Sequence, residues 1–307
     1  MMYILLLVGF VLLVKGADFF VEGSSSVAKM FKIPSVIVGL TIVAMGTSAP
    51  ELAVSLTASL AGSNDMALSN VIGSNIFNLM VVIGACAIIK GVDTPTDILK
   101  RDLPLNIGVT ALLLLFIWDL RISRIEGIIL LICMVAYITV LVVQALKNRT
   151  EAVEEEEKPL SPLMSVVYII GGIAAIVFGG DLVVDNASAI AAAFGLSQTL
   201  IGLTIVAMGT SLPELVTSIV ATRKGETGLA LGNAVGSCLF NILLILGVSS
   251  TVSPINANSQ GLMDTIILLG ITVVSYIFAR TSEKTNRVEG IICLVIYAAY
   301  MVYAIIR

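Results

Sequence analysis

The chain has 307 residues, of which 58% are hydrophobic and 12% charged, with a mean hydropathy of +1.06. An ordinary soluble domain carries about twice that charged fraction, so the composition places this chain in a lipid bilayer. The net charge of −4 offers no basic face to nucleic acid, and the absence of His removes the usual zinc ligand and general base.

Apolar runs of about 17 to 25 residues are long enough to cross a hydrocarbon core of about 30 Å as helices. Ten are predicted: 2–26, 35–61, 66–89, 103–118 and 125–146, then 163–190, 198–222, 228–252, 264–280 and 288–306. The first has no cationic segment before it, since the chain begins Met1-Met2-Tyr3, and no cleavage motif after it. It is therefore expected to be a retained helix and not a signal peptide. Residues 147–162 carry the run Glu154 to Glu157 and form the clearest linker. The run lacks the Gly turn and alternating ligands of an EF-hand, so a solvated hinge is expected there. Cys86, Cys133, Cys238 and Cys293 fall within spans without a CxxC pair and read as small core residues. Trp118, at the end of the fourth span, reads as an interface anchor.

The second five spans repeat the first. VGLTIVAMGTSAPE (Val38 to Glu51) returns as IGLTIVAMGTSLPE (Ile201 to Glu214), 163 residues later. NVIGSNIFN (Asn70 to Asn78) returns as NAVGSCLFN (Asn233 to Asn241), and RIEGII from Arg124 as RVEGII from Arg287, at the same offset. The chain divides into a first repeat, 1–146, an acidic linker, 147–162, and a second repeat, 163–307. The repeated motif regions span about 38–84 and 201–247.

Five spans per repeat is an odd number, so the second repeat enters the membrane from the opposite side. Loop charge gives an independent test. The odd-numbered loops hold thirteen Lys and Arg, whereas the even-numbered loops and C-terminus hold Arg121, Arg124 and Arg307. By the positive-inside rule, the odd loops and the acidic linker are cytoplasmic and both termini are outside. The expected fold is an all-α integral membrane protein of ten transmembrane helices in two inverted five-helix repeats. In secondary transporters of this plan the substrate site lies near the midplane, where the repeats meet.

Glu51 and Glu214 fall halfway along the second and seventh spans, where a carboxylate costs at least about 2.5 kcal/mol. No Lys or Arg lies deep in either span, so a bound cation or a proton is the expected counter-charge. Pro50 cannot donate to the carbonyl of Gly46, nor Pro213 to that of Gly209, so both helices should kink or open. Thr47 and Ser48, like Thr210 and Ser211, lie one turn before the glutamate and place hydroxyls beside it. On the third and eighth spans, Asn70, Ser74 and Asn78 form a polar stripe repeated by Asn233, Ser237 and Asn241. Such a stripe suits ion ligation or helix–helix hydrogen bonding. Ligation is the reading for the deeper Ser74, Asn78, Ser237 and Asn241, and helix–helix bonding for Asn70 and Asn233. Carboxylate, amide, hydroxyl and backbone oxygen without imidazole or organised thiolates select a hard ion such as Ca²⁺ or Na⁺.

These motifs, GTS-x-PE and GS-x-x-x-N in duplicate, resemble those of the cation/Ca²⁺ antiporter superfamily, close to the prokaryotic sodium/calcium exchangers. The resemblance implies Glu51 and Glu214 as central Ca²⁺ ligands shared with Na⁺. It adds Thr47, Ser48, Thr210, Ser211 and the carbonyls of Ala44 and Ala207 to the ion sites, with Ser74, Asn78, Ser237 and Asn241 lining the rest. Some relatives carry Asp where this chain has Asn241, which removes a third acidic ligand and argues against K⁺ co-transport. The H⁺-coupled branch has GN-x-x-E in place of GTS-x-PE, so Na⁺ coupling is favoured. In this superfamily the first and sixth helices slide across the bundle. Asp18, Glu22, Asp181 and Asp185 lie toward the ends of those helices, where they read as solvated, with Lys15 paired to Asp18 or snorkelling. The linker is too short for the regulatory domain of animal exchangers.

The sequence thus predicts a secondary antiporter and not an enzyme. It carries Ca²⁺ and Na⁺ as transported ligands, needs no cofactor and implies no obligate protein partner beyond the lipid bilayer. An H⁺-coupled antiporter and a passive cation channel are the alternatives.

Overall fold

The structure is a computed structural model that describes residues 1–61, 64–147, 159–195, 205, 207–281 and 283–306. These residues build an all-helical membrane protein. The first helix, α1 (Met2–Phe31), ends where Lys32 turns left-handed and Pro34 follows. Next come α2 (Ser35–Thr47) and α3 (Ala49–Leu60), two arms of one apolar segment bent by 47°. They are followed by α4 (Met66–Lys90), α5 (Ile98–Asp119), α6 (Arg124–Lys147) and α7 (Pro162–Ala193). A helical turn, Ala207–Gly209, precedes α8 (Leu212–Arg223), then α9 (Thr227–Val252), α10 (Ser259–Thr281) and α11 (Arg287–Ile306). Among the described residues, eight helices are long and apolar enough to cross a membrane, or nine with α2–α3 taken as one. The predicted span 198–222 lies partly outside the described residues, as does most of the linker 147–162.

Burial sorts these helices. The apolar stretch of α9 is 94% buried and that of α4 72%, whereas those of α6, α7 and α11 fall to 28% or less. So α4 and α9 form the centre, and the outer helices turn Leu7, Val135, Ile170 and Val295 outward. Exposed aliphatic rows of this kind suit lipid and would be costly in water.

Contacts between the two halves recur at the 163-residue offset. Val92–Asp93 (β1) pairs antiparallel with Lys284–Thr285 (β4), and Arg121–Ile122 (β2) pairs with Ile255–Asn256 (β3). Adding 163 to β1 gives β3, and to β2 gives β4, so each ribbon is the counterpart of the other. At the start of α6, Ser123 and Glu126 form a capping box: the Ser123 N–H donates to Glu126 Oε2 at 2.7 Å and the Glu126 N–H to Ser123 Oγ at 3.3 Å. Asn286 and Glu289 do the same for α11. That explains the repeated R-x-E-G: its glutamate is the third residue of a capped helix.

Helices α1 and α7 run antiparallel along a seam of small residues. A Cβ on Gly9 would lie 2.9 Å from the Gly179 carbonyl, and one on Gly16 3.0 Å from that of Gly172. Only glycine permits such an approach, and the heptad spacing keeps these positions on one face. Asp18 of α1 ion-pairs with Lys224, beyond the end of α8, at 2.6 Å, with Glu22 also within 3.6 Å. Lys224, and not Lys15, is therefore the ion-pair partner found for Asp18, which the local spacing in α1 failed to predict.

Candidate functional site

The bend between α2 and α3 sits at Ser48, whose φ of −82° and ψ of 7° leave the helical range. Pro50 then occupies the first turn of α3, where its missing N–H would have had no helical acceptor. The same construction begins α8, with Ser211 at φ −93° and ψ 5° and Pro213 in the first turn. Glu51 and Glu214 thereby stand in the first turn of a helix arm inside the bundle, where the N-terminal dipole favours a carboxylate. Both are fully buried.

Each carboxylate is held by the other repeat. Ser48 Oγ donates to Glu214 Oε1 and Ser211 Oγ to Glu51 Oε1, both at 3.0 Å. Ser237 Oγ adds a bond to Glu214 Oε1 at 3.4 Å. The hydroxyls next to the glutamates in sequence thus serve the opposite glutamate, a correction to the local reading. Crossing the serines ties the two broken helices together and brings both carboxylates to one place.

A second crossed layer lies beside the first. Thr47 Oγ1 reaches Asn233 Oδ1 at 3.0 Å, and Thr210 Oγ1 reaches Asn70 Oδ1 at 3.4 Å. Thr47 also lies 3.1 Å from the Val43 carbonyl and 3.4 Å from that of Ala44, with one hydrogen to share among them. Asn70 Nδ2 donates to Ser55 Oγ and Asn233 Nδ2 to Ser218 Oγ, both at 2.9 Å, and each also approaches the backbone carbonyl of its own repeat's glutamate at 3.4 Å. Asn70 and Asn233 are thus spent on joining helices.

What remains unsatisfied is an oxygen set. Glu51 Oε2, Glu214 Oε2, Ser74 Oγ, Asn78 Oδ1 and Asn241 Oδ1 are buried, and none has a hydrogen-bond partner among the described residues. The Ala44 carbonyl accepts the Ser48 N–H at 3.0 Å and lies 3.4 Å from Thr47 Oγ1, while Ala207 opens the turn before α8. Asn78 and Asn241 each begin a π-helical turn, Asn78–Val82 and Asn241–Leu246. Such turns interrupt regular backbone bonding and are frequent at functional sites.

Buried carboxylates without an opposing charge are costly, and no Lys or Arg ion-pairs with either glutamate among the described residues. Two carboxylates with neutral amide and hydroxyl oxygens around them suit a hard cation. No group of three or more His, Cys, Asp or Glu occurs among the described residues, so the donor set is chiefly neutral oxygen around two charges. Sequence reasoning missed Ser55, Ser218 and Asn75. The serines were visible as the i+4 neighbours of the two glutamates, and Asn75 as the single polar change between the two GS-x-x-x-N copies.

Comparison with known proteins places this arrangement. The chain is 36% identical to inner membrane protein YrbG of Escherichia coli (strain K12), over 94% of this chain and 92% of that protein. It is 32% identical to sodium/calcium exchanger MaX1 of Methanosarcina acetivorans, over 98% and 97%. A solved structure of the sodium-calcium exchanger NCX_Mj superposes with a TM-score of 0.86 at 32% identity, covering 98% of this chain and 97% of that one. With the family profile matching residues 1–143 and 164–306, nearly all of both repeats, the chain belongs to the sodium/calcium exchanger protein family.

Proposed function

We propose that the chain is a secondary antiporter that exchanges Ca²⁺ for Na⁺ across the membrane, both ions using one buried site between the two repeats. The crossed serine–carboxylate pairs carry the reading: each leaves one carboxylate oxygen buried without a hydrogen-bond partner among the described residues at the point where the repeats meet. Two carboxylates balance one Ca²⁺ or two Na⁺, so the ions compete for the same charge and bind alternately. Glu51 and Glu214 are the central ligands. Ser74, Asn78, Ser237 and Asn241 line the site, with Thr47, Ser48, Thr210, Ser211 and the carbonyls of Ala44 and Ala207 completing it.

The architecture that suits this activity is ten helices in two inverted repeats, 1–146 and 163–307, with 147–162 as the linker. Ribbon pairing supports it. Strands of one ribbon lie on one side of the membrane, and from β2 to β3 the chain passes through α6, α7, the segment ending in α8, and α9. Three crossings would put β2 and β3 on opposite sides, which supports reading the segment ending in α8 as the fourth. Loop charge then sets the orientation, with β1 and β4 cytoplasmic and both termini outside.

The test is uptake of radiolabelled Ca²⁺ into Na⁺-loaded proteoliposomes. Uptake is expected with an outward Na⁺ gradient and not with equal Na⁺ on both sides. Uptake driven by a proton gradient alone would replace the Na⁺ coupling with H⁺ coupling, and Ca²⁺ flux indifferent to Na⁺ would mark a channel.

A further inference from the structure

We propose that Asn75 is a positioning residue that turns the Asn241 side-chain oxygen toward the ion. Resting on the antiport reading above, this makes the repeats chemically unequal. Asn75 and Cys238 are equivalent positions, and they meet each other where α4 and α9 pack: Asn75 Nδ2 donates to the Cys238 carbonyl at 3.2 Å, and Cys238 Sγ lies 3.8 Å from the Asn75 carbonyl.

A backbone carbonyl only accepts, so the Asn75 amino group faces Cys238 and its Oδ1 faces the other way. That oxygen receives Asn241 Nδ2 at 2.9 Å. With its amino group committed, Asn241 presents Oδ1 on the opposite edge, buried and without a hydrogen-bond partner among the described residues. Turning Asn241 over would oppose two amide oxygens and lose the bond, a preference of about ten-fold for the orientation seen.

The equivalent asparagine has no such anchor. The residue in the second repeat that corresponds to Asn75 is Cys238, a weak donor and acceptor, and both amide atoms of Asn78 lack a partner among the described residues. Asn241 is held with its oxygen toward the site, whereas no hydrogen bond to the described residues fixes the orientation of Asn78. A neutral amide binds a cation only through its oxygen, so fixing it in advance removes an ordering cost from ion binding.

The experiment measures the Ca²⁺ dependence of Na⁺-driven uptake for Asn75→Ala and Asn75→Leu, alone and combined with Asn241→Asp. Each single variant at position 75 should raise the KM for Ca²⁺ by about five- to ten-fold. A carboxylate at position 241 has an oxygen on either edge, needs no orienting and would face the Asn75 oxygen, so in that background the same change should not raise KM. The leucine variant fills the space that alanine vacates, and size-exclusion profiles check folding. An unchanged KM, an equal loss in both backgrounds, or failure of both variants to fold would overturn the proposal. Absence of Na⁺-driven uptake in the unsubstituted protein would instead overturn the antiport reading; equilibrium Ca²⁺ binding on the same samples would still report the effect of Asn75.

Discussion

Ser48 and Ser211 each stabilise a carboxylate that belongs to the other repeat, so losing either hydroxyl should weaken the site in a similar way. A hydrogen bond to a charged group contributes about 1.5 to 3 kcal/mol, so Ser48→Ala or Ser211→Ala should raise the KM for Ca²⁺ by about ten-fold or more. Glu51→Gln or Glu214→Gln removes one of two charges and should abolish Ca²⁺ uptake while leaving the protein monodisperse. Retained uptake in either glutamine variant would sink the shared-site mechanism. The residue types of this site were legible because a buried charge and a repeated hydroxyl stand out in an apolar chain. Their partners were not legible: Ser48 lies three residues from Glu51 yet bonds Glu214, and no local spacing announces a contact 166 residues away.

Among the elements, those fixed by nearest-neighbour chemistry were the ones the sequence predicted best. Pro50 announced the break before α3, and the observed bend of 47° lies two residues before it. Restoring the missing donor with Pro50→Ala should let the segment run straight and move Ser48 away from Glu214. Transport should fall by about ten-fold or more while the chain still inserts, since Pro50 sits in a first turn and its replacement by Ala costs no backbone bond. The capping boxes give a contrasting case. Glu126→Ala or Glu289→Ala removes one half of a reciprocal cap far from the site, so stability in detergent should drop by about 1 kcal/mol with transport KM unchanged. What periodicity missed was the Lys224 contact with Asp18, because α1 and the end of α8 are brought together only by the packing of the bundle.

At the scale of the whole molecule, the two ribbons convert a question about helix number into one about sidedness. Both strands of a ribbon share a membrane face, and α5 is the one membrane-length helix between β1 and β2, so the two ribbons are expected on opposite faces. Single cysteines placed by Asp93→Cys and Lys284→Cys in a chain without its four native cysteines should react with an impermeant thiol reagent from the cytoplasmic side. Those placed by Arg121→Cys and Asn256→Cys should react from the outside. Labelling of all four from one side would break the inverted arrangement, and opposite labelling within a ribbon would break the pairing. Loop charge alone implies the same sidedness, with thirteen cationic residues in the odd loops, but it leaves the seventh span untested. The ribbons test it because β2 and β3 can share a face only if an even number of crossings joins them, which requires the proposed crossing by the segment ending in α8.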